Sequence, residues 1–221
     1  MQLKLYSYWR SSSSYRVRIA LNIKEIKYEI IPVNLLKNEN TAEEYRRLNP
    51  QGLVPTLVVG GNQILTQSLA IIEYLEEIKP VPPLLPADSW ARAKIRQIAQ
   101  LISSDIHPLN NLGPLSYLTE KLGVTEEQKQ KWYHYWVRQG FGAIEQLLMQ
   151  LKSEDFCYGN QPSIADICLI PQVYNAERFK VDLKPYPAIR RIAKHCNELP
   201  AFKAAHPSAQ SDAAIAAPQA G

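Results

Sequence analysis

Leu3 and Leu5 alternate with polar neighbours, and beyond a run of serines Val17, Ala20 and Leu21 recur at helical spacing, so the chain opens with a predicted strand, turn and helix. Residues 28–33, YEIIPV, read as a second strand and residues 41–48 as a short helix. The apolar runs 55–59 and 63–65 flank Gly60-Gly61-Asn62, which predicts a hairpin. Ser68 is placed to cap a helix whose Ile71, Ile72, Leu75 and Ile78 form one apolar stripe. Past residue 88 the periodicity is helical throughout. Ala91, Ile95, Ile98 and Ile102 mark one helix, Thr125-Glu126-Glu127-Gln128 has the form of a capping box ahead of a long helix to Leu151, and Ser163-Ile164-Ala165-Asp166 is the same box with Asp in the Glu position.

The order βαβαββα is that of a thioredoxin-like domain, and it ends at residues 79–89, KPVPPLLPADS, where the prolines break any helix and stiffen the chain. The expected architecture is an α/β thioredoxin-like N-terminal domain plus an all-α C-terminal domain. The expected boundaries are residues 1–80, a Pro-rich linker at 81–87, a helical domain of five or so helices at 88–207, and a loose tail at 208–221. That tail is Ala, Ser, Gln and Pro with Ile215 as an isolated large apolar residue, too little surface to hold it down.

Composition narrows the chemistry. Of the 221 residues 46% are apolar and 21% charged, enough for a sizeable core, and 25 basic against 21 acidic residues give +4 with no block of like charges. A nucleic-acid partner is not expected; a mild positive field suits small anions. The start MQLKLYSYW has no basic segment followed by an apolar stretch, and no apolar run approaches the roughly 18 residues of a membrane span, so a cytoplasmic protein is expected. Cys157, Cys168 and Cys196 are odd in number and widely spaced, which favours buried structural thiols over disulfides or zinc. His107, His134, His195 and His206 never stand at metal-ligand spacing, and no metal is expected.

Three segments carry candidate chemistry. Arg10-Ser11-Ser12-Ser13-Ser14-Tyr15-Arg16 lies between a strand and a helix, where unpaired N–H groups, a partial positive charge and crowded hydroxyls suit an anion; equally, one Ser is an N-cap and the rest are loop. Leu53-Val54-Pro55-Thr56 places a proline before a strand. A cis bond there turns the backbone of Val54 toward a peptide ligand, whereas a trans bond makes it an ordinary strand start. Gln67-Ser68 offers an amide, a hydroxyl and helix N–H groups to an α-carboxylate, or Ser68 is only a cap.

YSYWRSSSSYRVRIAL resembles the signature around SSCxWRVRIAL of the zeta-class glutathione transferases, the maleylacetoacetate isomerase family, and NPQGLVPTL, TQSLAIIEYLEE, DIHPLNNL and CLIPQVYNAERFKVDLKPYP resemble it as well. The resemblance covers roughly residues 3–207. It implies a glutathione transferase fold, glutathione as cofactor and a homodimer. It implies cis–trans isomerisation of maleylacetoacetate to fumarylacetoacetate in tyrosine and phenylalanine catabolism, by reversible thiolate addition to the double bond.

Carried over residue by residue, the resemblance makes Ser11 the hydroxyl donor to the glutathione sulfur, with Ser12 and Ser13 in the same turn; Ser11 and Ser12 are the catalytic candidates. Ser13 stands where the family has cysteine, which removes protein-based thiol transfer. Val54 pairs with the cysteinyl backbone, Gln67 and Ser68 hold the γ-glutamyl end, and His107 and Asn111 complete the cofactor site. His107 stands where some relatives carry Gln; otherwise it is a polar residue before Pro108 in a kinked helix. Arg178 matches the reader of a substrate carboxylate, a task for which a planar guanidinium is suited, and Arg10 is a second candidate. Without the family, Arg178 reads as structural, paired with Glu177 or Asp182. Three rivals remain: a maleylpyruvate isomerase, whose relatives tend to carry Arg where this chain has Leu112 and Gly113; a general transferase that consumes glutathione on electrophiles such as α-haloacids; and a binding protein on the same fold.

Overall fold

The computed structural model describes residues 2–216, with side chains to residue 213. It divides into two compact units, one of residues 2–83 together with the chain from Leu199 onward, the other Leu84–Glu198.

In the first unit, β1 (Leu3–Ser7) leads into α1 (Ser12–Ile23), β2 (Glu29–Pro32), the short α2 (Glu43–Leu48), the hairpin β3 (Thr56–Val59) and β4 (Gln63–Thr66), and α3 (Ser68–Ile78). The sheet order is β2-β1-β3-β4, with β1 parallel to β2 and antiparallel to β3, and β3 antiparallel to β4. This is the expected thioredoxin-like arrangement. β3 is buried along its whole length, so it reads as a continuous apolar run, while β4 is an edge strand with Gln63 and Ile64 exposed. Gly60 and Gly61 turn the hairpin at φ +60° and +92°, conformations in which a side chain would be strained. Leu5, Leu57, Ile19, Leu21, Ile71, Ile72 and Leu75 are fully buried and form the core between sheet and helices.

The chain re-enters this unit at its C-terminal end, which corrects the expected boundary at 207 and the expected loose tail. α9 (Pro200–Ala205) buries Phe202 and Ala205, and its carbonyls are taken by α1: Asn22 Nδ2 donates to Ala201 O at 3.0 Å and Arg18 Nε to Ala205 O at 3.0 Å. A 3₁₀ turn (Pro207–Ala209) and α10 (Ser211–Ala216) follow, with Gln210 and Asp212 buried. Polar side chains anchor the segment, which is why an apolar count misses it. Residues 217–221 of the expected tail lie outside the described residues. The Pro-rich stretch also divides, because Leu84 and Leu85 are buried and Leu84 O accepts from Ile164 N–H at 3.2 Å inside the second unit.

The second unit holds α4 (Ser89–Gln100), α5 (Leu112–Glu120), α6 (Glu126–Gln150), α7 (Ile164–Arg178) and α8 (Pro187–Glu198). Both predicted capping boxes form: Thr125 with Gln128, and Ser163 with Asp166, whose buried carboxylate also accepts from Cys157 N–H at 2.7 Å. Glu145 of α6 is buried and accepts from Ala188 and Ile189 N–H at 2.7 and 3.0 Å, capping α8 from a neighbouring helix. The helix predicted to reach Ile102 passes at Leu101–Ile106 into a π-helical turn, then a 3₁₀ turn at Pro108–Asn110. Gly140 of α6 permits that turn to pack: a Cβ on it would stand 2.2 Å from Ile106 Cδ1 and 2.3 Å from Cγ1.

Candidate functional site

Strand register gathers the three candidate segments of the first unit. Tyr6 pairs with Thr56 and Thr56 with Thr66, so the residues just after β1, just before β3 and just after β4 all stand at one end of the sheet. These are the turn 8–11, the Val54–Pro55 step and Gln67–Ser68. The N-termini of α1 and α3 share that end, and with them two sets of unsatisfied N–H groups and two positive dipole ends.

The first segment is a tight turn in which Ser11 N–H donates to Tyr8 O at 2.9 Å. Ser11 is the N-cap of α1, its Oγ accepting from Ser14 N–H at 3.2 Å. Capping uses a lone pair of the hydroxyl and leaves its proton free to donate. Ser11 is thus the cap that the serine run offered, and capping does not preclude donation to an anion. Ser12 and Ser14 are buried, Ser11 and Ser13 half-buried, and the N–H groups of Ser12 and Ser13 lie in the first turn, where no intrahelical acceptor exists. The half-buried Arg10 sets its guanidinium 5.4 Å from the Trp9 ring centroid, a cation–π contact beside the turn.

The Val54–Pro55 bond is cis, and Val54 stands outside the strand ladder, which begins at Thr56. Leu53 O accepts from Tyr45 Oη at 2.6 Å and Asn49 Nδ2 at 2.7 Å, and Tyr45 Oη also meets Thr56 Oγ1 at 3.0 Å, so this segment is pinned on both sides. Gln67, not Ser68, occupies the N-cap position of α3. It sits at φ +69°, unusual for a non-glycine residue, and no side chain caps the helix. The expectation that Ser68 caps α3 is corrected: Ser68 lies one position inside, its hydroxyl accepting from the buried Arg16 at 3.3 Å. The start of α3 keeps open N–H groups, and Gln67 Nε2 donates to Gln51 Oε1 at 2.9 Å. Gln51 was not among the residues singled out in the sequence, and Arg16 closed the serine segment without a role of its own. Gln51 lay unassigned within NPQGLVPTL, and the partner of Arg16, Ser68, lies 52 positions away, beyond any local signal.

In the second unit the π-helical turn closes with His107 N–H donating to Ile102 O at 2.9 Å and leaves His107 half-buried. Asn111 is the N-cap of α5, its Oδ1 accepting from Leu112 N–H at 2.8 Å. Arg178 ends α7, exposed, with Nη1 donating to Asn175 Oδ1 at 3.3 Å and its guanidinium 5.4 Å from the Phe179 ring and 5.9 Å from Tyr174. Three consecutive residues of α6 hold both places. Trp132 Nε1 donates to Leu109 O at 2.8 Å, Tyr133 stacks on Phe179 with centroids 3.9 Å apart, and His134 Nε2 meets Phe179 O at 2.7 Å.

The protein's own sulfur is unsuited to nucleophilic work. Cys157, Cys168 and Cys196 are buried, and burial followed by the nearby Asp166 carboxylate pushes the Cys157 and Cys196 thiols well above the usual range. A thiolate acting here has to come from a ligand. Among the described residues no helix is long and apolar enough to cross a membrane.

Residues 1–77 match the glutathione S-transferase N-terminal domain family and residues 108–200 the glutathione S-transferase C-terminal domain family. The chain is 49% identical to a probable maleylacetoacetate isomerase of Vibrio cholerae serotype O1, over 96% of this chain and 99% of that one. It is similar to the holo structure of a maleyl pyruvate isomerase, a bacterial zeta-class glutathione S-transferase, with a TM-score of 0.92 and 47% identity over 95% and 99% of the two chains. A maleylacetoacetate isomerase of Anaeromyxobacter dehalogenans with glutathione in its active site gives a TM-score of 0.87 and 41% identity over 96% and 98%.

Proposed function

The chain belongs to the glutathione S-transferase family, in the zeta class that holds the maleylacetoacetate isomerases, and on that premise we propose that it catalyses the glutathione-dependent cis–trans isomerisation of maleylacetoacetate to fumarylacetoacetate. The observation that carries this reading is the convergence, at one sheet end, of two helix N-termini with the Ser11 hydroxyl and the Val54–Pro55 step.

That arrangement fits glutathione group by group. The open N–H groups at the start of α3, with Gln67 and Ser68, suit its α-carboxylate; Val54, outside the ladder, suits its peptide backbone; Ser11 and the first-turn N–H groups of α1, with Ser12 and Ser13, suit a thiolate. His107 and Asn111 complete the cofactor set. Bound glutathione supplies the thiolate that adds reversibly to the activated double bond and is returned at the end of the cycle. The chain holds that sulfur in its charged form by hydrogen bonding and by the dipole of α1. Arg178, and Arg10 beside the turn, orient a substrate carboxylate, and fixed donors oppose the negative charge that develops on the substrate, each such group contributing a few kcal/mol.

The enzyme acts in the cytoplasm as a homodimer, readings supported by three free thiols and by the frequency of two-fold assemblies. A maleylpyruvate isomerase is the alternative that the similarity to such an enzyme keeps in play. Leu112, exposed at the first position of α5, and Gly113 after it stand where relatives acting on maleylpyruvate tend to carry arginine, and this departure favours the longer substrate. The deciding experiment follows both maleyl substrates with catalytic glutathione. Turnover of maleylacetoacetate with thiol retained supports the proposal; preference for maleylpyruvate, or stoichiometric loss of thiol, overturns it.

A further inference from the structure

The turn that carries Arg10 and Ser11 is held by groups from the far end of the chain. Trp9 stands at its second position, and both of its peptide groups are engaged: its C=O accepts from Arg18 Nη2 at 2.9 Å and its N–H donates to Asp212 Oδ2 at 2.9 Å. Arg18 lies fully buried behind the turn, also donating to Ser7 Oγ at 3.1 Å and to Ala205 O at 3.0 Å. Asp212 is buried in the first turn of α10, 203 positions along the chain from Trp9. The connection between α9 and α10 is itself knitted, because Gln210 Nε2 donates to Ala204 O at 3.0 Å and His206 O at 2.9 Å. The Asp212 carboxylate is thus presented by a folded strap.

We propose that Asp212 is a positioning residue for the thiolate-holding turn: by fixing the Trp9 N–H it sets the peptide planes leading into Arg10 and Ser11. Trp9 lies beyond the sheet ladder, which ends at Ser7, so no ladder bond holds its N–H, and a hydrogen bond to a carboxylate is of the stronger kind. Without it the turn keeps its 8–11 closure and the Arg18 contact, so the fold survives while the plane between residues 8 and 9 is free to tilt. A small misplacement of a group that aligns reactants is enough to cost about 10²-fold in rate. Substrate and thiolate alignment should suffer; binding of the γ-glutamyl end, held at Gln67 and Ser68, should not.

This inference rests on the reading of Ser11 given above, and the test separates the two. Full-length wild type, Asp212→Ala, Asp212→Asn, Asp212→Glu and Ser11→Ala are compared for Tm, kcat, KM for glutathione, thiol pKa of bound glutathione from thiolate ultraviolet absorbance, and hydrogen exchange at the Trp9 amide. Asp212→Ala is expected to lower kcat by about 10- to 100-fold, raise the thiol pKa and speed Trp9 exchange, with glutathione KM within about twofold. Asp212→Asn, which keeps an acceptor oxygen, should recover most of kcat. Asp212→Glu keeps the charge but moves it by one methylene, should show the same changes at smaller amplitude, and decides alone if Asp212→Ala does not fold. A fall in Tm with kcat and thiol pKa unchanged overturns the positioning role. If Ser11→Ala is silent on thiol pKa, the site reading itself fails; if it is damaging while the Asp212 variants are not, only the positioning proposal falls.

Discussion

Replacing Gly140 with Ala tests whether the π-helical turn ahead of His107 is held by close packing or merely tolerated. The added Cβ would lie 2.2–2.3 Å from Ile106 Cδ1 and Cγ1. Cγ1 is not a flexible chain end, and Ile106 is buried, so the collision is not relieved by swinging a terminal atom. Overpacking of this kind costs about 1–3 kcal/mol, with the close approach to two atoms placing this site toward the upper end. Alanine gains about 1 kcal/mol over glycine in a helix interior. The balance is a net loss of about 1–2 kcal/mol, which for a chain of this size lowers Tm by about 2–8 °C. Ile106 immediately precedes His107, so a displaced turn should also weaken glutathione binding. Thermal melts and calorimetric titration of glutathione measure both effects. Ile106→Ala alone should cost about 2–5 kcal/mol by cavity formation, but the double variant should cost less than the sum of the two, with a coupling of about 0.5–3 kcal/mol. A stabilised Gly140→Ala, or strict additivity with Ile106→Ala, would refute the packing argument.

Ser11→Ala should cut turnover by about 10² or more and raise the pKa of bound glutathione, as expected for loss of a key donor; a silent Ser11→Ala beside a damaging Ser12→Ala would reverse the assigned roles. Arg178→Ala should lose about 1.5–3 kcal/mol in kcat/KM with a maleyl diacid while a neutral electrophile is conjugated at nearly the wild-type rate, and Arg178→Lys should recover only part. Equal losses on both substrates would make Arg178 structural and send the search for the carboxylate reader to Arg10. Burial, then the neighbouring Arg18, holds the His206 imidazole below its ordinary pKa of 6.5 in the fold. The unfolded chain therefore takes up its proton first, and stability should fall as pH drops through about 6.5 toward the folded value. His206→Gln should flatten the urea midpoint across that window, and an unchanged slope would remove His206 from the account.

Burial period and capping chemistry made much of this legible in the sequence. The alternation at Leu3 and Leu5, the stripe of α3 and the boxes at Thr125 and Ser163 are local signals, and each produced the element it predicts. Gln67 and the serine turn were recognisable as candidates because strand-to-helix junctions expose backbone groups wherever they occur, and Val54 because a proline follows it at the start of a strand. What stayed hidden depends on partners distant in sequence. Arg16, Arg18 and Lys24 are all buried, Lys24 because Glu76 and the carbonyls of Lys79 and Pro82 close around it, and no local pattern marks a cation for burial. The side chains of Asp212 and Gln51 each meet a distant partner, Trp9 N–H and Gln67 Nε2, through a hydrogen bond that leaves no periodic trace. Nothing in the sequence of the long helix marks Gly140, and only the neighbouring turn shows why a side chain is excluded. The π-helical register at Leu101–Ile106 has no pattern that an amphipathic helix lacks.

The return of residues 199–213 to the first unit makes the helical unit an insertion between two parts of that domain, with a consequence for how the protein is made. Arg18 is synthesised 187 residues before its Ala205 carbonyl, and the Trp9 amide 203 residues before Asp212. At about 5–20 residues per second the ribosome leaves those groups waiting for roughly 10–40 s. During that interval the sheet can form, but the buried guanidinium lacks its Ala205 acceptor and the turn at residues 8–11 lacks its outer tie. The helical unit, contiguous from Leu84 to Glu198, can complete itself first. The nascent chain should therefore acquire a finished helical unit before a competent glutathione site, and fragments ending near residue 83 or 198 should be poor substitutes for the whole.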